Sequence, residues 1–109
     1  MFTSNPIVQR HLQLLRIHCQ EWKSFFRMEI RERNRMGIRH QMEKDHLRSV
    51  HKNCYITAAI LKRQTAELWE FKISYQEKRT FLSDRQSRQL SDSLELLRRS
   101  GFQFQQQKI

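Results

Sequence analysis

The sequence predicts an all-α protein of two or three long, extended helices with little core of their own. Three observations carry this expectation. Gly and Pro together number three in 109 residues, and sheets and tight turns need those residues whereas long helices do not. Apolar side chains recur at helical spacing along most of the chain. Residues that cap helices stand where that pattern starts and stops.

The first helix is expected over residues 6–36. Asn5-Pro6 opens it, because Asn caps and Pro suits the first helical position. Val8, Leu12, Leu15, Cys19, Trp22 and Phe26 then alternate at 4-3-4-3-4 spacing, a single seam in the coiled-coil rhythm. Leu14, Phe25 and Ile30 widen it. Gly37 interrupts the pattern and marks the expected break, since Gly inside a helix costs about 1 kcal/mol relative to Ala.

A long helix over residues 38–82 follows. In it Leu47, Cys54, Leu61, Leu68, Tyr75 and Leu82 recur at every seventh position. Of the companion positions Val50, Thr57, Gln64, Phe71 and Lys78, only two are apolar. The seam is therefore narrow and suits an extended helix leaning on a partner better than a strong autonomous dimer. No internal repeat beyond these heptads is expected.

Ser83-Asp84-Arg85-Gln86 and Asp92-Ser93-Leu94-Glu95 both read as capping boxes, which gives a short C-terminal helix over residues 84–100. Arg98 and Arg99 suit its last turn and Gly101 its cap. Phe102 and Phe104 then form an apolar hook within residues 101–109. Residues 1–109 are expected to make a single helical unit.

The net charge is +10, from 21 Lys and Arg against 11 Asp and Glu. It is uneven: through Arg63 there are 13 basic and 5 acidic side chains. Such a balance points to an acidic partner, whether nucleic acid, anionic lipid or an acidic protein polymer. Two cysteines make no disulfide framework. The longest uncharged runs, such as residues 53–61, fall far short of the roughly 20 residues of a membrane helix, so no transmembrane segment is expected. The first 20 residues carry Arg10 and Arg16 and no acid, in the manner of a mitochondrial presequence.

The chain offers no phosphate loop, no Gly-rich turn after a strand and no nucleophile elbow. His51 and Cys54 stand one helical turn apart, but a closed zinc site needs two more ligands and no second pair has the spacing. Glu67, Glu70 and Glu77 lie on a regular helix beside Lys72, Lys78 and Arg79, a solvated charge lattice rather than an acid and base. The expectation is a non-enzyme without metal, cofactor or small-molecule substrate.

The strongest candidates for function are partner-binding. Arg27, Arg31, Arg33, Arg35 and Arg39 put five arginines in thirteen residues, and guanidinium favours bidentate pairing with carboxylate or phosphate. The plainer alternative is a solvated helical face partly neutralised by Glu29 and Glu32. Trp22 lies on the first seam. Trp69 sits one position off the second seam, where only an external surface would bury it. Phe102 and Phe104 lie past the helix stop, with no element left to cover them.

Leu68-Trp69-Glu70, then Tyr75 and Glu77, then Leu97, Gly101 and Phe104, together with Trp22-Lys23, carry a resemblance. They resemble the small microtubule inner proteins of ciliary and flagellar doublets, which are short, Arg- and Gln-rich helical chains with scattered aromatics. Tyr75 lies closer to Leu68, and farther from Gly101, than the family's pattern has it. The resemblance implies a structural protein bound to α/β-tubulin and neighbouring axonemal proteins in the doublet lumen, with tubulin's acidic surface answering the basic charge. The runner-up is a basic helical protein of a mitochondrial ribosome or other RNA-containing complex. A helical subunit of a mitochondrial membrane complex and a self-contained coiled-coil dimer are the further alternatives.

Overall fold

The computed structural model describes residues 5–50 and 53–101. They form two α-helices and, among the described residues, no strand: α1 (Pro6–Val50) and α2 (Cys54–Arg99). The starts are fixed by two asparagines. Asn5 Oδ1 accepts hydrogen bonds from the N–H groups of Ile7 (2.9 Å) and Val8 (3.4 Å). Asn53 Oδ1 does the same for Tyr55 (2.9 Å) and Ile56 (3.4 Å). Each thus satisfies N–H groups that a helix start would leave without acceptors. At the other end Gly101 takes a φ of 91°, the left-handed conformation expected of a C-terminal cap.

Two expected boundaries are corrected. Gly37 does not end the first helix: it lies within α1, which runs to Val50, and α2 begins at Cys54. One Gly weakens a helix by about 1 kcal/mol, too little to stop one packed along both sides of that position. A separate helix from residue 84 is likewise not formed, because α2 runs through both capping-box sequences. Leu82 and Gln86 are both buried on one face, and a cap between them would break their shared register.

The paired helices divide into two compact units, Met1–Lys23 with Thr80–Ile109, and Ser24–Arg79. Within each, the α1 and α2 segments run antiparallel and are held by a side-chain latch. In the Ser24–Arg79 unit, His40 Nε2 lies 2.7 Å from Glu67 Oε1. The Gln64 amide donates to the His40 carbonyl and to Glu43, both at 3.0 Å, and Arg63 pairs with Glu43 at 2.6 Å. In the other unit, His18 Nε2 lies 2.8 Å from Gln89 Oε1. The Gln86 amide donates to the His18 carbonyl (3.3 Å) and to Glu21 (3.0 Å), and Arg85 pairs with Glu21 at 2.8 Å. Gln86 Oε1 accepts the Trp22 indole N–H at 2.8 Å.

The two latches are the same device. His18 and His40, Glu21 and Glu43, Arg63 and Arg85, Gln64 and Gln86, and Glu67 and Gln89 each lie 22 residues apart. Half that interval is the period of burial. His18, Glu29 and His40 on α1, and Gln64, Tyr75, Gln86 and Leu97 on α2, are buried and spaced by 11. Leu14, Phe25, Met36 and Leu47 follow the same step and are half-buried or buried. Eleven residues make about 3.67 per turn, near the 3.6 of an undistorted helix.

The first heptad seam therefore lies largely off the buried face. Leu12, Leu15, Cys19 and Phe26 are exposed, whereas the residue before each (His11, Leu14, His18 and Phe25) is half-buried or buried. One residue is a rotation of about 100°. The second seam is buried in part: Leu47, Tyr75 and Leu82 are buried, as is the companion Gln64, whereas Leu61 and Leu68 are exposed. Buried apolar residues are few: Leu47, Tyr75, Leu82 and Leu97, against buried polar His18, Glu29, His40, Gln64 and Gln86. Hydrogen bonding between the helices specifies their pairing at least as much as apolar burial does.

Candidate docking faces

The arginines of residues 27–39 divide by what they touch. Glu29, buried against α2, accepts from Arg33 at 3.2 Å and from Arg79 at 3.1 Å with each oxygen. Glu32 takes the Tyr75 hydroxyl, and burial together with that carboxylate pushes the Tyr75 phenol up to about 12. The two acids that interleave the arginines in sequence thus turn toward α2. Of the five arginines of this segment, Glu29 pairs with Arg33, and neither acid pairs with Arg27, Arg31 or Arg35.

Arg39 lies 3.7 Å from Glu67. The His40 hydrogen bond, with Arg63 and Arg39 beside it, holds the Glu67 carboxyl below the usual carboxylate value. Glu43 is lowered as well, chiefly by the Arg63 hydrogen bond and then by Gln64. Arg27, Arg31 and Arg35 are exposed and form no ion pair within 4.0 Å among the described residues. They sit four apart on one continuous helix, so each step rises about 6 Å along a single ridge. Like charges at this spacing destabilise a helix by about 0.2–0.5 kcal/mol per pair. The ridge works against the isolated chain and favours a state in which anions lie along it.

No family model, curated protein or solved structure matches this chain.

The two tryptophans part company. Trp22 is half-buried and donates its indole N–H to Gln86, a contact that joins its own helices. Trp69 is 61% exposed, as its offset from the seam implies. It borders a groove of about 750 Å³ in the Ser24–Arg79 unit, with Leu68, Phe71, Lys72 and Ile73 among its walls. Lys72 Nζ sits 5.6 Å from the Trp69 ring centroid, within cation–π range. Phe102, Phe104 and His51 lie outside the described residues.

Sequence reasoning missed the groove and both latches. A scan at a period of 11 would have aligned the two His-x-x-Glu pairs with Arg63-Gln64 and Arg85-Gln86. No helix of the described residues is long and apolar enough to cross a membrane.

Proposed function

We propose that this protein is a non-catalytic structural component that lies along an acidic protein surface, and that its assembly is the lumen of ciliary or flagellar doublet microtubules. The observation that carries the docking reading is the ridge of Arg27, Arg31 and Arg35, left without carboxylates because Glu29 and Glu32 serve α2. Tubulin is the acidic polymer that the sequence resemblance suggests, with neighbouring axonemal proteins as further partners. Trp69, inside the Leu68-Trp69-Glu70 part of that resemblance, is exposed and available to them.

The test is incorporation. A tagged chain expressed in ciliated cells is expected along the axoneme, and the triple reversal Arg27→Glu, Arg31→Glu, Arg35→Glu is expected to abolish that signal. Circular dichroism of the variant should match the parent, because none of the three side chains joins α1 to α2. Normal incorporation of the variant would reduce the ridge to a solvated face. A mitochondrial signal, with RNA binding that falls steeply as salt is raised, would give the runner-up reading its place.

A further inference from the structure

We infer that the groove beside Trp69 in the Ser24–Arg79 unit is a second docking site, which takes an acidic amphipathic helix of a partner protein. None of Arg27, Arg31 and Arg35 lines it, so it is separate from the arginine ridge and does not rest on the tubulin reading.

Thr65, Leu68, Trp69, Lys72 and Gln76 line one side of the groove at helical spacing, and Arg33 stands opposite on α1. Leu68, Trp69 and Ile73 are 45%, 61% and 51% exposed, so its apolar floor and wall are uncovered. This is the form of a helix-in-groove site, which reads apolar anchors at i, i+3, i+4 and i+7 of an incoming helix. An exposed Trp at the edge of such a cleft is the residue type on which binding energy concentrates.

Charge selects the occupant. The titratable side chains on the groove are Arg33, Lys72, Arg79 and Glu29. Both Glu29 oxygens already accept from Arg79, and one also from Arg33. Three cations share the groove with this one engaged carboxylate, an excess of positive charge that suits an apolar helix face flanked by Asp or Glu. A second copy of this chain would bring the same cationic rim and a charge of +10 to the contact. Nucleic acid would set phosphates against Leu68 and Ile73, whose burial rewards an apolar side chain instead.

The probes are two synthetic amphipathic peptides of about 20 residues, long enough to span about 30 Å as helix. They share one Leu stripe and differ only in Glu or Lys flanks. Fluorescence anisotropy with the full chain is expected to show saturable binding of the Glu-flanked peptide alone. Trp69→Ala should weaken it at least tenfold and Lys72→Glu severalfold, with circular dichroism unchanged because both side chains are exposed. Arg31→Glu with Arg35→Glu should leave it within about twofold, which separates this site from the ridge. The inference is overturned if neither peptide binds, if both bind equally, or if Trp69→Ala has no effect. It is replaced by a nucleic-acid reading if a single-stranded RNA oligomer binds in a Trp69-dependent way and the acidic peptide does not.

Discussion

Replacing Gln86 with Ala removes a complete rung of the latch that joins α1 to α2 in its unit. Gln86 is buried, accepts from the Trp22 indole at 2.8 Å, and donates to Glu21 at 3.0 Å and to the His18 carbonyl at 3.3 Å. A hydrogen bond to an ionised acceptor contributes about 1.5–3 kcal/mol and a neutral one about 0.5–1.5. The 3.3 Å bond is long and adds little, and water can reach half-buried Trp22 and offset part of its loss. The expected destabilisation is about 2–4 kcal/mol, a large share of the roughly 5–15 kcal/mol typical of folded domains. In a urea titration followed by circular dichroism at 222 nm, with a slope of about 2 kcal/mol/M, the midpoint should fall by about 1–2 M. Ser87→Ala, on the exposed neighbouring position, serves as the control and should move it little. A double-mutant cycle with Trp22→Phe should return a coupling of at least about 0.5 kcal/mol. A Gln86→Ala midpoint matching the parent, or a cycle with no coupling, would refute the claim that these polar rungs hold the helices together.

Gly37→Ala should stabilise the chain by up to about 1 kcal/mol, because Gly37 is helical and nothing lies within 4 Å of the Cβ it would gain; a lower urea midpoint would instead restore a hinge there. Glu43 and Glu67 both have folded-state values below 4.5, so the stability they supply is present above that pH and is lost as pH falls through the lower folded values. Helicity should accordingly decline on acidification below about pH 4.5, and Glu67→Gln should flatten that decline; a variant with an unchanged acid limb would contradict the assignment. Tyr75 has the opposite sign: its phenol is raised from 10.0 to about 12, so stability is full below pH 10 and drains as pH rises toward 12. A phenolate absorbance titration compared with Tyr75→Phe should show the missing group ionising near pH 12, and loss of a group titrating near pH 10 would speak against the Tyr75–Glu32 bond.

The helical class was legible because it depends on local signals: few glycines, one proline, Asn5 before Pro6, and Gly101 after the terminal arginines. The pairing was less so. Leu12, Leu15, Cys19 and Phe26 form the most conspicuous apolar line in the chain, yet the helices meet one residue to the side of it, where His18 and Gln86 sit. Buried Gln and His look like surface residues until their partners are known, and those partners lie 64 to 71 residues away in the sequence. The same limit applied to the arginines. Read along the chain, Glu29 and Glu32 seem to neutralise them all; Glu29 does pair with Arg33, but only the contacts with Arg79 and Tyr75 show that both carboxylates also turn to α2. Trp69 was placed correctly as exposed, because its offset from Leu68 is a local property.

The period of 11 also constrains how this chain can change length. Removing one residue from the middle of α1 turns everything beyond it by about 100°, which takes His40 and Leu47 off the face they share with α2. Removing eleven turns it by only about 20°, and the antiparallel pairing then asks for eleven fewer residues in α2 as well. Insertions and deletions that survive in related chains should therefore come as matched elevens, one in each helix, and an unmatched or shorter one should coincide with loss of a latch.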